Sequence, residues 1–210
     1  MKKIIAISMM LLSVFPLISS AQEKKDALKP ADNNEVRLNR LQPPEKVMDI
    51  FGIKPGMTIA EIGAGKGRYV VHLADRVGPE GLVYAEDINR KSLEFLEKRC
   101  RDGGLENVRV ILGDVTDPML PKGKLDLIFI ISSYHHFEDP VALMKKAGES
   151  LKPGGKVAIG EWVKEGRDLF EGRSPEQLEK EMKEAGYKLE KIDKSLKGSD
   201  MYLYLFEIKR

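Results

Sequence analysis

The stretch Met57 to Tyr69 constrains this 210-residue chain more than any other. A strand-sized run, Met57-Thr58-Ile59-Ala60-Glu61-Ile62, ends in Gly63-Ala64-Gly65-Lys66-Gly67, and a helix pattern then runs to about Val77. A glycine turn between a first strand and a helix suits strands and helices that alternate around a parallel sheet. The rest of the chain keeps that alternation. Upstream, Pro43-Pro44 opens a helix with Val47, Ile50 and Phe51 on its apolar face, Gly52 ends it, and Lys54-Pro55-Gly56 makes a turn. Downstream, Gly81 to Asp87 reads as a second strand. Asn89 caps a helix that points Leu93, Leu96 and Cys100 inward and stops at Gly103-Gly104. Val108 to Leu112 is a third strand. Leu125 to Ile131 is the unbroken apolar run of a central strand covered on both faces. Asp139-Pro140 starts a helix whose apolar face is Val141, Met144 and Leu151, and Lys156 to Gly160 is a fifth strand. Ser174-Pro175-Glu176-Gln177 is a capping-box start, with Leu178, Met182 and Ala185 inward and Gly186 closing. Tyr187 to Ile192 and Met201 to Ile208 are two last strands with no helix between them, so they should pair antiparallel at one edge. The expected fold is α/β, a doubly wound, mostly parallel seven-stranded sheet with helices on both faces and an antiparallel last strand.

Charge bounds the partners. Lys plus Arg number 35 and Asp plus Glu 33, and the surplus of +2 is Lys2 and Lys3. No acid precedes Glu23, so residues 22–210 are balanced. That excludes a strongly basic nucleic-acid domain and an acidic solvating tail. A single cysteine, Cys100, excludes an intramolecular disulfide framework and a multi-cysteine zinc site, and no metal is expected. Met1-Lys2-Lys3, the charge-free Ile4 to Ile18, and Ser19-Ser20-Ala21 before Gln22 form the three-part pattern of a secretory signal. The apolar run contains Pro16 and falls short of the roughly 20 residues a membrane span needs. Residues 1–21 are therefore expected to be a cleaved signal peptide, with an uncleaved anchor as the alternative. Either way the domain is exported to the periplasm or cell envelope. Residues 22–42 read as a polar linker with a short lead-in element near Val36 and Leu38, and 43–210 as the domain.

The glycine loop selects a ligand class. A dinucleotide fingerprint spaces its glycines G-x-G-x-x-G. Here the third glycine comes one residue early, and Arg68 fills the dinucleotide position. An acid, Glu61, stands two residues before the first glycine. S-adenosylmethionine carries a carboxylate and an ammonium at one end and no phosphate, so an acid beside a tight loop suits it better than it suits a pyrophosphate. The alternative is a glycine turn that only packs strand on helix. Asp87, at the end of the second strand, can accept both ribose hydroxyls of an adenosine, with Glu86 as competitor by register. In Gly113-Asp114-Val115, Asp114 can accept from an adenine amino group.

Five segments in order resemble the class I S-adenosylmethionine-dependent methyltransferases. They are the strand–ExGxGxG–helix unit, Val83-Tyr84-Ala85-Glu86-Asp87-Ile88, Gly113-Asp114, Leu125-Asp126-Leu127-Ile128 and Leu151-Lys152-Pro153-Gly154-Gly155. The resemblance spans roughly Gln42 to Ile208 and implies strand order 3-2-1-4-5-7-6 with strand seven antiparallel. It implies a cofactor set of Glu61, Gly63, Ala64, Gly65, Gly67, Asp87, Ile88, Asp114 and Val115. In that match Glu61 serves the ammonium, Asp87 the ribose and Asp114 the adenine, and Lys152-Pro153-Gly154-Gly155 is a structural turn. The Tyr134-His135-His136 segment and the Gln42-Pro43 lead-in resemble the small-molecule, ubiquinone-biosynthesis-like branch and related exported methyltransferases.

Candidates for chemistry lie after the fourth strand, where Ser132-Ser133-Tyr134-His135-His136-Phe137 hold two of the three histidines. His135 or His136 can deprotonate an acceptor or line its pocket, since imidazole titrates near neutral pH. A base is not obligatory, because positioning alone can supply on the order of 7–11 kcal/mol. His72 is expected on a helix face; Glu161 and Trp162 are candidates for the acceptor rim, with packing the favoured role for Trp162, and Arg68 and Tyr69 can flank the cofactor, which family spacing does not settle. The expected activity is methyl transfer to a small-molecule acceptor by a monomer or weak dimer, without nucleic acid or stable membrane insertion. Two rivals are an exported protein that binds the cofactor without turnover and a nicotinamide-dependent oxidoreductase, which the glycine spacing disfavours.

Overall fold

The computed structural model describes residues 22–23, 25–163, 174–196 and 198–209. The expected signal at 1–21 lies outside them, as do residues 164–173. The elements are α1 (Asn33–Leu41), α2 (Pro44–Ile50), β1 (Thr58–Ile62), α3 (Val70–Val77), β2 (Leu82–Asp87), α4 (Arg90–Asp102), β3 (Val108–Leu112) and β4 (Leu125–Ile131). A 3-10 turn (Tyr134–His136), α5 (Pro140–Gly148), β5 (Leu151–Trp162), α6 (Pro175–Glu184), β6 (Tyr187–Asp193) and β7 (Met201–Ile208) follow.

The seven strands form one sheet in the order β3-β2-β1-β4-β5-β7-β6. β1 to β5 run parallel, and β7 is antiparallel to both β5 and β6. From β1 the chain winds outward to β3, then returns to β4 on the other side of β1. That reversal opens a crevice beyond the carboxyl ends of β1 and β4, where ligands of such sheets bind. β4 accounts for the two-sided core. Leu127, Phe129 and Ile131 pack on one face and Ile128 and Ile130 on the other. Each such burial stabilises the fold by about 1.5–3 kcal/mol.

The caps follow the local sequence. The side chains of Asn89, Asp139 and Ser174 accept from the backbone N–H of Ser92, Ala142 and Gln177. One helix face differs from expectation. α5 buries Leu143, Met144 and Ala147, and Leu151 instead opens β5. Leu125 pairs with Leu151 and Leu127 with Lys156, so Lys152-Pro153-Gly154-Gly155 bulges out of the β4–β5 ladder. Proline cannot donate to a ladder, which is why the strand yields there.

The polar lead-in is packed rather than free. Asp32 caps α1 by accepting from Glu35 N at 2.8 Å. Glu35 is buried and pairs with Arg99 of α4 at 3.0 Å. Arg99 also donates to the carbonyls of Ala27 (3.0 Å) and Lys29 (2.7 Å). A charge withdrawn from water needs this many partners, so the pair fixes α1 onto α4.

Candidate active site

Backbone hydrogen bonds set the glycine loop. Gly63 N and Ala64 N both donate to the Glu86 carbonyl, at 2.9 and 2.8 Å, which ties the end of β1 to the end of β2. Gly65 N donates to Asp87 Oδ2 at 2.8 Å, and Asn89 N donates to Asp87 Oδ1 at 2.8 Å. The three glycines answer different needs. A Cβ on Gly63 would press on Ser133 at 2.6 Å, and one on Gly67 would overlap the Leu96 side chain. These two glycines let the loop close against the β4 turn and α4. Gly65 has φ +53° and nothing within 4 Å of where its Cβ would be. It is therefore the point where a ligand can reach the backbone.

The acids divide by burial. Glu61 is buried, and burial pushes its carboxyl up to about 8 against the opposing pull of Arg68. Its Oε2 has no hydrogen-bond partner among the described residues. Such an atom is costly to leave alone and suits a buried cation or donor. Glu86 is also buried, packs against Gly113 where a Cβ would overlap it, and is pushed up to about 8 by burial and then by the charge of Asp87. Asp87 is the half-buried member of the pair. Its backbone bonds organise the loop, and each carboxylate oxygen can accept again.

These elements border a cavity of about 330 Å³, within the usual range for a small-molecule pocket. Of the residues expected from the sequence, Gly63, Asp87, Ile88, Asp114, Val115 and His136 line it. Ile88 is 59% exposed, a large apolar side chain held on the cavity wall. Asp114 is exposed, and its Oδ1 accepts from Val115 N at 2.6 Å. Glu61, on β1, is not on that wall, and neither are Ala64, Gly65 and Gly67 of the loop beside it. Glu86, the competitor of Asp87, lines it too, as do Ser132, Ser133 and Phe137 of the segment singled out after the fourth strand; Glu138 and Leu143 are cavity residues that sequence reasoning missed. Ser132 has φ +56°, a conformation uncommon for a residue with a side chain, at the turn where β4 ends.

The two histidines separate in role. His136 is exposed and lines the cavity. His135 is directed to Glu161, with Nδ1 2.8 Å from Oε1 and its backbone N–H donating to Oε2 at 3.2 Å. The side chains are 10% and 1% exposed, and the His135 and His136 rings lie 3.9 Å apart. Glu161, expected at the rim, is thus a buried partner of His135. The β4–β5 register places it there: Ile131 pairs with Gly160, so the next residue, Glu161, sits where β4 turns into the histidine segment. Trp162 packs against the core. Tyr69 is buried edge-on against Phe129 at 5.1 Å, with Arg68 over its ring at 4.2 Å. His72 is on α3, and burial holds its imidazole below the ordinary range.

Comparison with known proteins agrees with this geometry. Residues 53–210 match the family model described as a methyltransferase domain. Nocamycin O-methyltransferase of Saccharothrix syringae is 30% identical over 114 residues, 54% of this chain and 41% of that protein. The ubiquinone/menaquinone biosynthesis C-methyltransferase of Idiomarina loihiensis is 31% identical over 118 residues, 56% of this chain and 47% of that protein. The chain spans less than half the length of these curated relatives. Among solved structures, a SAM-dependent methyltransferase from Aquifex aeolicus superposes with a TM-score of 0.74 at 27% identity, covering 89% of this chain and 97% of that one.

Proposed function

The chain belongs to the methyltransferase-domain family, as a class I S-adenosylmethionine-dependent methyltransferase, and we propose on that premise that it methylates a small-molecule acceptor held beyond the end of β4. One observation carries this reading. A single cavity joins the β2 and β3 acids, Asp87 and Asp114, to the β4 turn and His136.

The residues present fit the cofactor. Glu61 Oε2 is a buried acceptor without a partner among the described residues, and the Gly65 backbone has open space beside it. Glu61 would take the ammonium, Asp87 the ribose and Asp114 the adenine, with Ile88 covering an apolar face of the base. Bound S-adenosylmethionine supplies an electrophilic methyl group on a sulfonium. The chain's own contribution is to hold the acceptor in line and to manage its proton. His136 is the group at the cavity wall that can accept that proton. Glu161 fixes the His135 ring, and His135 packs against His136 and restricts its orientation. A base at this place suits an acceptor atom that carries a dissociable proton. The reading also includes export, supported by the Lys2-Lys3, apolar and Ser19-Ser20-Ala21 pattern, with a mature chain starting at Gln22.

The test is transfer of labelled methyl from S-adenosylmethionine into fractionated metabolite extracts. Label in a small-molecule fraction supports the proposal. Label confined to protein or nucleic acid overturns the acceptor class, and cofactor binding without any transfer overturns turnover. The mass of the exported chain checks cleavage before Gln22.

A further inference from the structure

Two buried polar atoms beside the glycine loop lack partners among the described residues, and they have opposite character. One is the acceptor Glu61 Oε2. The other is Gln42 Nε2, a donor on a side chain with no exposed surface. Gln42 ends the lead-in segment, where its own N–H closes α1 by donating to the Leu38 carbonyl at 2.8 Å. Its side chain reaches the residue that follows Gly67: Arg68 Nη2 donates to Gln42 Oε1 at 2.6 Å. That bond fixes the amide, since the oxygen must face the guanidinium and the NH2 must face elsewhere. Tyr69 Oη also donates to the Gln42 carbonyl, at 3.3 Å, so backbone and side chain are both anchored to the residues that follow the loop. The same guanidinium pulls on the Glu61 carboxyl. Arg68 therefore connects a cationic and NH2-donating flank with a buried acid.

A cation, a free amide donor and an unpartnered carboxyl, linked through Arg68, are complementary to an amino-acid zwitterion. We infer that Gln42 binds the carboxylate of the cofactor's methionine tail, opposite Glu61 at the ammonium. This rests on the reading that the chain binds S-adenosylmethionine, and it gives the lead-in segment a part in the site. The burial of a free NH2 group supplies the specificity, because a ligand without the carboxylate leaves that donor unsatisfied.

Three ligands separate the parts by calorimetric titration of the full chain. S-adenosylhomocysteine has the whole tail, decarboxylated S-adenosylmethionine keeps only the amine, and 5′-methylthioadenosine has neither charged group. Gln42→Glu keeps the size and an acceptor for Arg68 but removes the donor and adds a negative charge. It should weaken S-adenosylhomocysteine at least tenfold, leave 5′-methylthioadenosine unchanged, and leave the decarboxylated ligand equal or tighter. Gln42→Leu should weaken S-adenosylhomocysteine about tenfold and spare the other two. Equal loss on all three ligands would overturn the inference in favour of a structural role, and unchanged affinity for S-adenosylhomocysteine would overturn it outright. If the wild-type chain binds none of the three, the cofactor reading fails, and this inference fails with it.

Discussion

The two ends of the crevice are built by different means. At the ends of β1 and β2 the main chain does most of the fixing. Gly63 N and Ala64 N hold the Glu86 carbonyl, and Asp87 holds the N–H groups of Gly65 and Asn89. At the ends of β4 and β5 the fixing is by side chains. Glu161 grips His135 across 26 positions of sequence, and His135 packs on His136. The first end is a rigid cradle of fixed spacing, suited to one invariant ligand. The second, on the proposed reading, holds the acceptor through a few side chains. On the proposed reading, cofactor and acceptor recognition should therefore break separately.

The cradle should break hardest. Gly65→Val fills the open face of the loop and forces a branched side chain to φ +53°. Calorimetry with S-adenosylhomocysteine should show binding lost by more than a hundredfold, and retained affinity would reduce the loop to a packing turn. Next comes the attachment of the lead-in. Glu35→Ala strands the Arg99 guanidinium in a buried place and should lower unfolding stability by about 3–5 kcal/mol, read from urea denaturation. A change under about 0.5 kcal/mol would mean that α1 docks by other contacts.

Asp87→Ala removes both the loop anchor and the ribose acceptor, and should weaken cofactor binding at least tenfold, about 1.4 kcal/mol. Unchanged affinity would shift that role to Glu86. The acceptor end should respond in the opposite sense. Glu161→Gln should slow methyl transfer about tenfold and move its pH profile, while affinity for S-adenosylhomocysteine holds. A matching loss of cofactor affinity would show that the two ends are not separable.

The last prediction concerns protons. Burial raises Glu61 and Glu86 from an ordinary 4.5 to about 8. Between those values the folded chain keeps protons that the unfolded chain has released, so the contribution of these two carboxyls to stability is greatest below pH 4.5 and is lost toward pH 8. The Tm of the cofactor-free protein should fall over that window, and Glu61→Gln should flatten part of the fall. A Tm that rises from pH 5 to 8 would contradict the buried neutral carboxyls.

What could be read in the sequence follows the same division. Strand, glycine loop and helix are local, and their spacing is set by backbone geometry. Val108–Leu112 and Leu125–Ile131 therefore appear at their expected bounds, and Gly63, Asp87, Ile88 and Asp114 fall on one wall. Leu151 was misassigned because an apolar residue just past a helix fits its period, and only pairing with Leu125 shows that it starts a strand. Glu161 as partner of His135, Gln42 under Arg68, and Glu35 under Arg99 are contacts between distant segments with no characteristic spacing. The polar lead-in reads as linker because the partner of its buried acid Glu35 is Arg99, far along the chain.

The most direct test of the central claim, that the β1–β2 end is an S-adenosylmethionine cradle, is calorimetric titration of the folded wild-type chain with S-adenosylhomocysteine, with NAD as control. The account predicts one-to-one binding of the adenosyl ligand, lost in Gly65→Val, and no heat with NAD. Folded protein that gives no heat with S-adenosylhomocysteine, or that prefers NAD, would contradict it.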